Sequence, residues 1–255
     1  MAGCQQPWRA TRGHQKPCTV FFLVLLQRCL PRQVELIKEL RAALGTKYGL
    51  TCVLPQDYGY LKGIDIKSLA EYVDWFNVLT YDLHGDWDAN DPDLGPKIRP
   101  HTDLQEIDKH LKALWESGVE PSKFALGLAY YGRGYTATDP DCLYYGCKFT
   151  GSSTKDLCSN QNGILSNCEI KRKIHNGAQT NMITGGAATK QLFWANQWVS
   201  YDDSETIALK KGLADERCMS GTAIWAIDYD SCDGRSVESY VMICLCINFR
   251  QWIGS

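Results

Sequence analysis

From Gln33 onward the sequence alternates between two hydrophobic periods, and this limits the possible folds more than any other feature. Val34, Ile37, Leu40 and Leu44 recur at three- and four-residue steps until Gly45, which predicts an amphipathic helix. Tyr48 to Leu54 follows as an apolar run closed by Pro55, a buried strand. The exchange repeats with a short helix over Ile66 to Val73 and a strand over Trp75 to Tyr81. A helix bearing Leu104, Ile107, Leu111 and Leu114 comes next, with Thr102 and Gln105 as its capping box and Gly118 as its stop. Further strands are expected over Phe124 to Tyr131, Leu192 to Tyr201 and Thr222 to Asp228, with a helix from about Asp203 to Leu213 before the last. Strands interleaved with helices imply an α/β protein with a parallel sheet. A doubly wound sheet and a (β/α)8 barrel are the competing windings. No Gly-x-Gly-x-x-Gly or P-loop follows any strand, which weakens the nucleotide-binding alternative. Polar and aromatic residues gather instead at strand C-termini: Tyr81-Asp82, Tyr130 to Arg133, and Trp225 to Asp228. A barrel keeps its active site there.

Composition narrows the partners. The 255 residues are 44% hydrophobic and 22% charged with a formal net charge of −2, enough apolar mass for one sizeable core. That charge advertises no nucleic-acid partner. The longest apolar run, Val20 to Leu26, falls far short of the roughly 18 residues of a membrane span. Arg9, Arg12 and Lys16 precede that run in the manner of a signal peptide, but Gln27 to Arg32 makes a poor cleavage site. Four of the 12 cysteines, Cys142, Cys147, Cys158 and Cys168, share one stretch rich in Gly, Ser and Asn. It reads as an insert stapled by disulfides in an oxidising compartment, with pairing left open. The spacing does not match a zinc site.

A barrel takes about 250 residues. Setting aside an irregular N-terminus (1–32), the cysteine-rich insert (135–190) and a tail (234–255) leaves about 145 residues, room for four or five strand–helix units. The expected architecture is therefore a partial (β/α)8 TIM barrel, about its second half, over 33–134 and 191–233.

The run Tyr81-Asp82-Leu83-His84-Gly85-Asp86-Trp87-Asp88, preceded by Val73 to Val78, resembles the sixth-strand signature of family 18 glycoside hydrolases, the chitinases. Leu126 to Arg133 is similar to the family's seventh strand, and Gly221 to Asp228 to its eighth. Asp139 to Ser166 resembles the small α+β insertion of the fungal killer-toxin-like chitinases. The resemblance spans about Val34 to Asp233, and its motifs agree in order and spacing.

The resemblance implies retaining hydrolysis of β-1,4-linked N-acetylglucosamine, in which the substrate's own acetamide attacks the anomeric carbon. It implies chitin or chito-oligosaccharides as partners, an extracellular location and no cofactor. Trp225 matches the tryptophan under the sugar at the cleavage point, Tyr81 the tyrosine that holds the acetamide, and Asp82 its neighbour. Tyr131 and Arg133 are expected to line the cleft, Arg133 with an ion pair as its competing role. Trp87 is a candidate outer platform for sugar, and Tyr60 is a cleft aromatic after the family's fifth strand. The family's proton donor is the Glu that closes an Asp-x-x-Asp-x-Asp-x-Glu motif. That motif is not in the sequence, so no catalytic residue is assigned. Gly63 to Lys67 and Asp86 to Asp93 are acidic decoys without the Glu. Three outcomes remain open: a chitinase deprived of its acid, a sugar-binding protein, or a half-barrel whose open edges prevent folding. His84 is read as a structural hydrogen-bonder, Trp194 and Trp198 as core, and Lys210-Lys211 as a solvated helix face.

Overall fold

The structure, a computed structural model, describes residues 20–24, 32–55 and 58–230, the side chains of 20–24, 58 and 60 excepted. The remainder of the N-terminus and the tail expected over 234–255 lie outside the described residues. Val20–Val24 forms β1, so part of the run assigned above to an irregular N-terminus belongs to a sheet. Helix α1 (Gln33–Leu44) leads to β2 (Gly49–Pro55), α2 (Tyr58–Leu61) and α3 (Ile66–Ala70). Strand β3 (Trp75–Leu79), helix α4 (Leu104–Trp115) and strand β4 (Phe124–Ala129) follow. The N-cap of α4 is Asp103, which accepts from the Gln105 and Glu106 amides, one residue later than the expected Thr102. Thr102 faces Thr189 instead, 3.4 Å between hydroxyls.

At Tyr130 the chain leaves the first sheet. Strands β5 (Tyr131–Ala137), β6 (Phe149–Ser152) and β7 (Ile164–Ser166) precede α5 (Asn167–His175), then β8 (Gln179–Met182), β9 (Lys190–Trp194) and β10 (Gln197–Tyr201). Helix α6 (Ser204–Glu216) and β11 (Gly221–Trp225) return to the first sheet.

The first sheet has the order β1-β2-β3-β4-β11, with every pairing parallel. Parallel strands laid down in sequential order, with no reversal, have the winding of a TIM-barrel-like α/β fold rather than that of a doubly wound sheet. All six residues of β4 are buried, as expected for a parallel strand covered on both faces. Ile37, Leu50, Phe76, Leu111, Phe124 and Leu213 belong to a single apolar cluster that joins α1, α4 and α6 to the strands.

The second sheet, β6-β5-β10-β9-β8 with β7 also on β5, is antiparallel throughout. Two expectations change here. Leu192 to Tyr201 is not one strand but a hairpin, turned at Ala195 with φ +48°. Its strands, and Tyr131 to Ala137, belong to this antiparallel sheet rather than to the parallel one. Alternating small runs of apolar residues cannot tell the sequence reader which sheet a strand joins.

Cys142 and Cys147 form a disulfide, and Cys168 and Cys218 each take part in disulfide bonding. Cys158, counted above among the stapling cysteines, is a free, exposed thiol. Lys210 corrects another expectation. It is 1% exposed, not solvated, and its ammonium reaches Asp202 at 2.5 Å and the Ala188 carbonyl at 2.7 Å. Trp198 is fully buried, as core, while Trp194 is half-buried with the Lys173 ammonium 4.9 Å from its ring.

Candidate functional site

The strand ends of the two sheets meet at Asp82. Strand β3 stops at Leu79, and Thr80 anchors the exit with its hydroxyl on the Gly127 carbonyl at 2.6 Å. A β-carbon on Gly127 would stand 2.4 Å from the Val78 carbonyl and 2.9 Å from the Tyr81 ring, so only glycine lets this strand lie so close. Asp82 then takes φ +58°. Left-handed backbone costs an ordinary residue about 1–2 kcal/mol, and aspartate tolerates it better than most.

The Asp82 carboxylate is a focus of donors. Arg133 grips it with two bonds, Nε to Oδ1 at 2.7 Å and Nη2 to Oδ2 at 2.9 Å, and the Tyr131 hydroxyl donates to Oδ1 at 2.7 Å. Beneath it lies His101, 1% exposed, with Nδ1 3.4 Å from both the Asp82 amide nitrogen and Asp82 Oδ1 and its ring tilted over that of Tyr131. Burial works against ionisation of Asp82, but hydrogen bonds from His101 and Arg133 outweigh it and hold the carboxyl far below the usual range. Burial pushes the His101 imidazole down, the Asp82 charge notwithstanding. Burial, then the adjacent Asp82 charge, raises the Tyr131 hydroxyl well above its ordinary value, so it stays a donor.

Aromatic rings frame this carboxylate. Tyr81 packs edge-on against Tyr131 with centroids 6.1 Å apart, and Tyr229 meets Tyr131 at 5.9 Å. Trp87, 44% exposed, lies with its ring centroid 4.7 Å from the Arg133 guanidinium, a cation–π contact. Trp225 ends β11 opposite Ala129, at the same end of the sheet, and is 48% exposed. Half in water at a strand end, Trp225 presents an apolar face to solvent among the described residues.

Of the expected site residues, Asp82, Tyr131, Arg133, Tyr81 and Trp87 form one contiguous cluster. Trp225 shares their rim. Tyr60 lies in α2, but its side chain is outside the described residues. Arg133 takes the ion-pair role weighed for it, with Asp82, and its guanidinium also backs Trp87. Sequence reasoning missed His101, which no local pattern marks. Within the acidic run Asp86 to Asp93, Asp88 is 1% exposed and accepts from His84 at 2.7 Å, a buried partner that no local pattern marks either.

The family profile "Glycosyl hydrolases family 18" matches residues 32–230. The chain belongs to this family. It is 31% identical over 212 residues to "Secreted chitinase LysM12" of Penicillium expansum, an alignment covering 77% of this chain and 14% of that protein. It is 30% identical over 201 residues to "Killer toxin subunits alpha/beta" of Kluyveromyces lactis, covering 76% of this chain and 17% of the toxin. The solved "GH18 Chitinase from Cycas revoluta in complex with (GlcNAc)3" superposes with a TM-score of 0.71 at 22% identity, over 83% of this chain and 63% of that one. The chain therefore spans less than two thirds of that solved structure, and under a fifth of those two curated relatives. Within the family, the site described here lies at the ends of β3, β4 and β11 and at the start of β5.

Proposed function

We propose that this chain forms the acetamide-holding and sugar-stacking part of a chitinase-type cleft, binding chito-oligosaccharide without hydrolysing it in the form given by these 255 residues. The observation that carries the reading is the Asp82 carboxylate, held by Arg133 and Tyr131, with half-exposed Trp87 on Arg133 and half-exposed Trp225 at the same end of the parallel sheet. Pyranose C–H faces pack on indole, and a fixed carboxylate with a neighbouring tyrosine can orient an amide. Substrate-assisted cleavage also needs an acid whose pKa is raised, so that it is protonated near neutral pH. Among the described residues, every carboxylate with a displaced pKa is displaced downward: Asp65, Asp82, Glu106, Asp108, Asp156 and Glu169. These groups suit holding and pairing, not proton donation.

In this reading the parallel sheet is the second half of a barrel and the antiparallel unit from Tyr131 to Tyr201 is the family insertion. An extracellular site of action fits the disulfides and the relative named as secreted.

The test is calorimetric titration of the purified chain with chitotriose, together with mass spectrometry of chitotetraose incubated with it. Expected are measurable binding, its loss by roughly tenfold or more on Trp225→Ala, and no shorter oligomers. Cleavage that disappears with Trp225→Ala would overturn the non-hydrolytic part. Folded protein that binds no sugar would overturn the whole.

A further inference from the structure

We propose that His84 is a positioning residue that clamps the Trp87 platform by bridging Asp88 and Glu106 through both of its ring nitrogens. The functional consequence rests on the sugar-binding reading above; the bridge itself rests on geometry. His84 is 5% exposed, with Nδ1 2.7 Å from Asp88 Oδ2 and Nε2 3.0 Å from Glu106 Oε2. An ionised carboxylate only accepts hydrogen bonds, and a neutral imidazole has one N–H to give. Satisfying both partners therefore requires the imidazolium.

Trp87 sits between the two pinned residues of its own turn. Asp86 accepts from the Ser152 hydroxyl on β6, and Asp88 is held by His84. The bridge continues to Glu106 on α4, so the turn over 86–90 is tied to two different elements. Trp87 then folds back so closely that a β-carbon on Gly85 would stand 2.3 Å from its ring, and the ring rests on Arg133. With its bridge broken, Asp88 would be a buried carboxylate without its partner, and the turn would have to open to water.

The groups facing His84 are Asp88 from its own turn and Glu106 from α4, with His110 and Arg99 acting on Glu106 from beyond. Burial opposes the charge on His84, but the two carboxylates outweigh it and raise its pKa to about 9. The sign follows from linkage. The clamp is complete below the ordinary histidine value of about 6.5 and is lost as pH rises through about 9. It thus holds across the neutral range.

The experiment measures chitotriose affinity of the full chain by calorimetry at about pH 7 and about pH 10, on either side of that transition. Tyr131, raised well above its ordinary value by burial, keeps its proton over this range. The expected result is a fall of about tenfold at the higher pH, the worth of one aromatic platform. His84→Gln and Trp87→Ala should both be weakened already at the lower pH and show no further fall. An unchanged affinity at the two pH values, or a fall that persists in Trp87→Ala, would overturn the clamp without touching the sugar reading. If no sugar binds at either pH, the sugar reading fails, and the His84 ring titration followed by NMR decides the bridge. A midpoint near 9 that drops on Asp88→Asn supports it, and an ordinary midpoint overturns it.

Discussion

The two sheets reach stability by different means. The parallel sheet is held by one large apolar cluster: Phe76 and Phe124 stack at 5.5 Å, and Trp115 closes on Phe124 edge-on. The antiparallel sheet has smaller apolar clusters and leans on polar fastenings. Glu169 is wholly buried there, with its carboxylate accepting the Cys158, Ser159 and Ser166 amides and the Ser166 hydroxyl. The difference shows where a rigid site can be built. Asp82 follows the parallel sheet and Arg133 comes from the antiparallel one, so the site is the seam between a unit held by burial and a unit held by hydrogen bonds.

The contrast is most easily broken in the core. Phe124→Ala removes a fully buried ring and should cost about 3–5 kcal/mol in denaturant unfolding. A loss under about 1 kcal/mol would mean that the parallel sheet does not depend on its apolar centre.

Next comes the polar fastening. Glu169→Ala strands three backbone N–H groups and should cost about 2–3 kcal/mol. Burial raises the Glu169 pKa, but hydrogen bonds from Ser159, Ser166 and Cys158 outweigh it and hold the pKa below the ordinary value of 4.5. Its contribution is thus present above about 4.5 and lost as pH falls through the lower folded value. Thermal unfolding across the acid range should therefore show a loss that the Glu169→Ala chain lacks.

The smallest effect belongs to the seam. Arg133→Met breaks a pair whose Asp82 side is 36% exposed, so water compensates part of the loss and about 1–2 kcal/mol is expected. Hydrogen exchange should then show the two sheets opening separately, and sugar binding should weaken more than stability does. Equal protection of both sheets in this variant would mean that they are coupled elsewhere.

Much of the parallel unit was legible from local pattern. Helix α1 occupies the residues that its periodicity predicted, and β2 and β3 end within two residues of their expected limits. Tyr81, Asp82, Tyr131 and Arg133 were picked out at strand ends and Trp87 through the family resemblance, and the five meet in one cluster. The boundary between the sheets was not legible. Phe124 to Tyr131 reads as one apolar run, yet it divides at Tyr130 between two sheets, because hydrophobicity records burial and not the neighbour that supplies it.

From Gln33 through the parallel unit, the sequence by itself determined most of the segments that become helix and strand, since period and turn residues act over a few positions. It also determined which side chains stand at the strand ends. Only the tertiary structure decided which charges meet. Asp82 finds Arg133 51 residues away, Lys210 is drawn inside by Asp202 and the Ala188 carbonyl, and His84, already on Asp88, reaches Glu106 22 residues away. Hydropathy ranks each of these groups as solvent-loving. A charge can be buried once the folded chain brings its counter-charge within hydrogen-bonding distance, and that proximity is a property of the winding rather than of any stretch of sequence.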